Sequence, residues 1–215
     1  MRPVLRWRPI PFPDPSRPRF AAVVLAVVLG LLAVACSDGP PVASNVVPPP
    51  ATAGERVSFV TLGGSETISR GLDESTNQPW NQQVFAHLPM AATFSNVASQ
   101  QATVAAGLDE QLPRALAEQP TIATVWFGVG DAIVKTPPTA FAATLTSLVQ
   151  QLQASGAKVL LIARSQPDQN IKSYLTAVAE VATATGATLV TVEGHDKLNN
   201  PAEHGAIASA VDAAL

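Results

Sequence analysis

From Val57 to Leu215 the chain alternates short apolar runs with longer stretches in which apolar residues recur every three or four positions. The short runs predict strands over Val57–Leu62, Thr93–Val97, Thr121–Phe127, Lys158–Ala163 and Ala187–Val192. The periodic stretches predict helices over Trp80–Leu88, Ile171–Thr185 and Pro201–Leu215. A further helix is expected over Gln101–Ala117, with Val104, Leu108, Leu112 and Ala115 on one side, and another carries Phe141, Leu145, Leu148 and Leu152. Gly156 falls where a helix terminus needs a left-handed residue. Apolar strands alternating with amphipathic helices imply a mainly parallel five-stranded sheet covered on both faces. Right-handed crossovers then give an α/β fold in three layers, an α/β/α sandwich. Ligands of such sheets sit at the carboxyl ends of the strands, here the loops Gly63–Thr67, Gly128–Asp131 and the segment before Pro201.

Ahead of this domain the pattern changes. Arg2, Arg6, Arg8, Arg17 and Arg19 precede an uncharged apolar run, Ala21–Ala35, that ends in small residues before Cys36. A basic start, an apolar stretch and small residues describe a secretory signal. The run is shorter than the ~20 residues needed to cross a ~30 Å hydrocarbon core, so a permanent transmembrane helix is the weaker alternative. Leu32-Ala33-Val34-Ala35-Cys36 resembles the lipobox of bacterial lipoproteins, with Ala33 where that motif prefers Leu. The resemblance implies that Cys36 is lipidated and becomes the mature N-terminus; an ordinary signal followed by a free cysteine is the other reading. Residues 37–53 are rich in Pro, Ala, Ser and Val without periodicity, as a spacer would be. The expected organisation is a signal over 1–35, a lipid-anchored spacer over 36–55 and a domain over 56–215. The domain would stand on the outer face of the bacterial cytoplasmic membrane or cell envelope, with the membrane as a partner through Cys36.

Charge and composition narrow the chemistry. The net charge of −3 hides a basic N-terminus and an acidic remainder, so nucleic acid is not an expected partner of the domain. A single cysteine excludes an intrachain disulfide and a thiolate metal cluster. His87, His195 and His204 lack metal-ligand spacing, and no Gly-rich nucleotide loop is present, so no metal or cofactor is expected.

The loops at the carboxyl edge carry a resemblance. Val60-Thr61-Leu62-Gly63-Gly64-Ser65-Glu66-Thr67 resembles the strand and turn that open SGNH/GDSL hydrolases, where Gly-Asp-Ser-x-Thr is usual. Trp80, the second block around Asn96-Val97-Ala98 and Ala102-Thr103, and Gly128-Val129-Gly130-Asp131 in the Gly-x-Asn-Asp slot follow in the family's order. Pro201 to Gly205 resembles the closing His-Pro-x-x-x-Gly. The likeness spans nearly all of Val57 to Leu215 and rests on order and spacing, since no single match is specific.

In that family a Ser nucleophile is activated by a His, itself oriented by an Asp three residues earlier. The oxyanion donors are the Ser backbone N–H, a second-block Gly and a third-block Asn. Residue by residue, the resemblance gives Ser65 as the nucleophile and puts Gly64, Gln101 and Gly130 in place of the Asp, the Gly and the Asn. It also puts Lys197 and Asn200 in the Asp and His slots. A serine hydroxyl without an adjacent base is a weak nucleophile. A relocated base could come from His204 or from His195 beside Asp196, although His204 also reads as a solvated helix-start residue and adjacent residues do not readily form a base–orienter pair. Gln101 could aim its side-chain amide at an oxyanion, or simply lie on the surface. Ser65 could line a pocket, or merely cap the next helix. His87 reads as structural, and Asp131 as a partner of its own loop backbone. Two functions follow from the resemblance. One is an esterase or acyl hydrolase acting through Ser65; the other is an inactive relative that binds a glycan, an acyl ligand or an envelope partner. Whether the chain is an enzyme stays open at this point.

Overall fold

The computed structural model describes residues 56–68, 79–165, 170–193 and 200–215. The predicted signal and spacer, with Cys36, and the segment holding His195, Asp196 and Lys197 lie outside the described residues. Among the described residues no helix is long and apolar enough to cross a membrane.

Five strands form one sheet: β1 (Ser58–Gly63), β2 (Thr93–Asn96), β3 (Ile122–Trp126), β4 (Lys158–Arg164) and β5 (Thr188–Val192). Their order is β2-β1-β3-β4-β5, and every neighbouring pair is parallel. The expected three-layer α/β/α sandwich is the observed one. Parallel strands joined by helical crossovers must be covered on both faces, so β4 reads Val159-Leu160-Leu161-Ile162-Ala163, every residue buried.

Alternation along the strands divides the core in two. Val60, Leu62, Val125 and Leu161 face Phe141, Leu145 and Leu148 of α6 (Pro138–Ala154), together with Tyr174 and Val178 of α7 (Lys172–Thr185). Phe59, Trp126, Leu160 and Ile162 face Trp80 and Val84 of α2 (Trp80–His87), and Ile207 and Val211 of α8 (Pro201–Asp212). The period-two pattern of the strands and the 3.6-residue pattern of the helices meet in these two layers. Helix α6 starts at Pro138, whose fixed φ suits a first turn, and the chain leaves it through Gly156 at φ +93°.

Three elements differ from the expectation. The glycine loops after β1 and β3 each wind into a short helix: α1 (Ser65–Ile68) and α5 (Val129–Val134). The helix expected over Gln101–Ala117 begins at Val104, as α3 (Val104–Ala106), passes through a π-helical turn over Gly107–Gln111, and continues as α4 (Leu112–Ala117). The wider turn rotates the following residues. Gln111 is thereby buried at 2% exposure beside Leu112, while Leu108 stays only half-buried. Gly107 permits the close packing, since a Cβ there would stand 2.3 Å from the ring of Phe127.

Candidate active site

The carboxyl edges of β1, β3 and β4 carry the polar groups that the sequence brings together. At the end of β1, Gly63 has φ +154°, and a Cβ on it would lie 2.2 Å from Thr67 Oγ1 and 2.5 Å from the Trp126 carbonyl. Only glycine lets β1 turn that closely into α1. Gly64 donates its N–H to the Trp126 carbonyl at 3.1 Å and accepts from the Thr67 N–H at 3.1 Å. Ser65, half-buried, is left as the first residue of α1.

Ser65 Oγ accepts a hydrogen bond from the backbone N–H of Gln101 at 3.0 Å. Gln101 holds φ +54°, a left-handed conformation uncommon for a residue with a Cβ, and its side chain is exposed. The donor directed at Ser65 is therefore the main chain and not the side-chain amide considered from the sequence. A backbone N–H survives a change of side chain, provided the residue tolerates positive φ.

Gly130 explains the loss of a side chain in the third block. A Cβ at this position would lie 2.3 Å from the Ala102 carbonyl oxygen and 2.5 Å from that of Gln101. The backbone that presents the Gln101 N–H occupies the room that an Asn side chain would need. Next to it, Asp131 is fully buried, and its Oδ2 accepts the Val104 N–H at 2.9 Å, so it supports the opening of α3. Burial pushes the Asp131 carboxyl above its ordinary range, against the lowering pull of the Val104 N–H.

Three buried groups brace this part of the edge, of which the sequence singled out Trp80 but neither Gln111 nor Asn81. Gln111 Oε1 accepts the Gly63 N–H at 2.9 Å, while its Nε2 donates to the Gly63 carbonyl at 3.0 Å and to Ser99 Oγ at 3.2 Å. One amide thus ties the end of β1 to the loop that carries Gln101. Trp80 Nε1 donates to the Glu66 carbonyl at 3.1 Å, and Asn81 Nδ2 donates to that of Thr67 at 2.9 Å, fastening α1 to α2. No hydropathy rule points to Gln111. Its only signal is a polar residue immediately before Leu112 on an otherwise apolar side.

The remaining sequence candidates separate. Asn200 caps α8, its Oδ1 accepting the Ala202 N–H at 3.0 Å. His204 is fully buried, not solvated, and its Nδ1 accepts the Trp80 N–H at 3.1 Å, which joins α8 to the start of α2. His87, in the last turn of α2, pairs with Asp212 of α8 at 2.7 Å. Lys197 and His195 fall outside the described residues. Among the described residues no cluster of three or more His, Cys, Asp and Glu side chains could hold a metal ion.

Beside Ser65 lies a charged pair. Glu66 and Arg164, the latter ending β4, have side chains only 9% and 10% exposed, with Oε1 and Nη2 3.8 Å apart. The Arg164 guanidinium sits over the Trp126 ring, 5.9 Å from its centroid.

A parallel α/β/α sandwich with a serine at the turn after β1, under a backbone N–H from the loop after β2, defines the SGNH class of hydrolase folds. The chain belongs to the GDSL-like lipase/acylhydrolase family, which it matches over residues 61–209. Among solved structures it is similar to TesA, at 25% identity and a TM-score of 0.60, with 72% of this chain and 95% of that one aligned. A G-D-S-L family protein from Desulfitobacterium hafniense is 17% identical, at a TM-score of 0.60 over 74% and 99% of the two chains. Axe2, an acetylxylan esterase from Geobacillus stearothermophilus, is 14% identical, at 0.57 over 72% and 92%. No curated protein matches the sequence significantly.

Proposed function

We propose that this chain is an exported lipoprotein, anchored through Cys36, whose SGNH-type pocket binds an acylated or glycan ligand at Ser65 without efficient hydrolysis. The observation that carries this reading is what fills the family's His slot and what holds the buried His204. Asn200 has no titratable acceptor and caps α8, and His204 is buried with Nδ1 bound to the Trp80 N–H. Loss of a triad base lowers turnover by roughly 10⁴–10⁶. The filled position at Gly130 removes one oxyanion donor, worth on the order of 10²–10³. What remains is a recognition half-site: the Ser65 hydroxyl and the Gln101 N–H, suited to hold a carbonyl oxygen. The likeness of the fold to an acetylxylan esterase supports a carbonyl-bearing ligand.

A serine esterase is the second reading, favoured by the half-buried Ser65 at the head of α1 and by His195 and Asp196 shortly after β5. The two are separated by treating the full-length protein with a fluorophosphonate probe and assaying p-nitrophenyl acetate, beside Ser65→Ala and His195→Ala. The binding reading expects labelling and turnover no greater than in Ser65→Ala. Ser65-dependent turnover that is lost in His195→Ala establishes the esterase instead. The anchor has its own test: Cys36→Ser should move the protein from membranes to the soluble fraction, and unchanged membrane retention would refute lipidation at Cys36.

A further inference from the structure

The geometry points to the Glu66–Arg164 pair as a clamp for the hydroxyl groups of an uncharged, polyol-like part of the ligand, and this deepens the binding function proposed for Ser65. Both side chains are nine-tenths buried, yet 3.8 Å between Oε1 and Nη2 is well beyond the ~2.8 Å of a charge-assisted hydrogen bond. Among the described residues no other group bonds to the guanidinium or to the Glu66 carboxylate. A buried ion pair offsets its desolvation only with close geometry and hydrogen bonds to the remaining donors and lone pairs. Among the described residues this pair has neither, so it adds little to the fold. Its position is one residue past Ser65 and at the carboxyl end of β4, the edge where parallel sheets hold ligands.

Charge decides the class of ligand. The pair sums to zero. An anion on Arg164 would leave two negative charges against one positive in a nearly buried site, and a cation on Glu66 would leave the reverse. A neutral hydroxyl avoids both, because it donates to the carboxylate while accepting from the guanidinium. An oxygen ~2.8 Å from each atom bridges the 3.8 Å gap at an angle of roughly 85°, and a small opening of the pair brings this toward the tetrahedral value. Two vicinal hydroxyls would use one atom each. The Trp126 ring keeps the guanidinium in place by a cation–π contact, so the fork is preorganised before the ligand arrives. A sugar or glycerol unit on the alcohol side of an acyl ester would meet the clamp while its carbonyl meets the Gln101 N–H.

The test uses the full-length protein in a sugar-free detergent, with methyl β-D-glucopyranoside as the neutral probe and sodium acetate as the anionic one, read by saturation-transfer NMR. Saturable glucoside binding is expected in the wild type, weakened at least tenfold in Glu66→Gln and in Arg164→Met. Absent binding to the wild type, or binding unchanged in Arg164→Met, overturns the clamp, as does acetate displacing the glucoside by competition at Arg164. Thermal denaturation of Glu66→Leu/Arg164→Met supplies the second arm. The double variant should melt at or above the wild-type temperature, and a loss as large as in either single variant would make the pair a structural bridge. Ser65-dependent ester turnover alongside intact glucoside binding would overturn the non-hydrolytic reading and leave the clamp standing.

Discussion

Replacing Gln111 by Leu keeps the side-chain volume roughly constant and removes one amide from the interior. In the folded protein that amide bonds to both polar atoms of the Gly63 peptide group region, N–H at 2.9 Å and C=O at 3.0 Å, from a site only 2% exposed. The Gly63 carbonyl keeps the Ser99 N–H at 3.2 Å, but the Gly63 N–H loses its acceptor. An orphaned buried donor costs ~1–3 kcal/mol and the lost bond to the Gly63 carbonyl adds ~1 kcal/mol, while the exposed Ser99 hydroxyl exchanges its bond for water, for a total of roughly 2–4 kcal/mol. For a domain of this size that corresponds to a Tm lower by roughly 5–15 °C. Urea denaturation followed by circular dichroism measures the first figure, and a thermal scan the second. Gln111→Glu sharpens the test. A carboxylate still accepts the Gly63 N–H but has no donor for the Gly63 carbonyl, so it binds a proton more tightly folded than unfolded. Its deficit should therefore shrink as the pH falls toward 4. A Gln111→Leu variant within ~0.5 kcal/mol of the wild type would refute the reasoning, because a clamp on the turn before Ser65 cannot be removed so cheaply.

Three further outcomes follow from the same geometry. Gly130→Asn, which restores the family's residue, should lower stability by about 1–3 kcal/mol and yield no esterase, because its Cβ meets the carbonyls of Ala102 and Gln101; a stable variant with new turnover of p-nitrophenyl acetate would contradict this. Asp131 has its folded pKa raised by burial, so the native state holds the proton more tightly and stability falls as pH rises from its ordinary 3.8 through the raised value. Asp131→Asn keeps an acceptor for the Val104 N–H and should flatten that slope in urea titrations at several pH values; an unchanged slope would exonerate Asp131. His87→Ala should cost less than about 1 kcal/mol despite its 2.7 Å contact with Asp212, because His87 is largely exposed; a much larger loss of Tm would show that the pair locks α2 to α8.

How far the site could be read in advance varied with the kind of group. Ser65 was legible because a strand ending in Gly63-Gly64 before a hydroxyl is a local pattern, and Gly156 because a left-handed exit from a helix is set by one residue. Gln101 is exposed, in line with the surface reading; the group it directs at Ser65 is its main-chain N–H, which no residue letter records. His204 looked like a solvated residue in a first helical turn and is instead buried against the N-terminus of α2, which lies 124 residues earlier in the chain. Gln111 lay hidden because a π-helical turn shifts the face of a helix by one residue, and the 3.6-residue pattern assumes none. Arg164 lay one residue past the predicted fourth strand and was not singled out, because its partner Glu66 and the Trp126 ring come from two other strand ends.

The sequence by itself determined the five strands, the helices between them and the parallel sandwich they form. Those follow from the periodicity of apolar residues and from the handedness of the connections, both of which act over short stretches of chain. It also placed Ser65 at the end of the first strand. The tertiary structure decided what surrounds that serine: the Gln101 N–H, the backbone against Gly130, the Gln111 amide, the burial of His204 and the loosely paired Glu66 and Arg164. Each depends on distances of a few ångströms between segments far apart in the chain, and these are fixed only when the two core layers pack against the sheet.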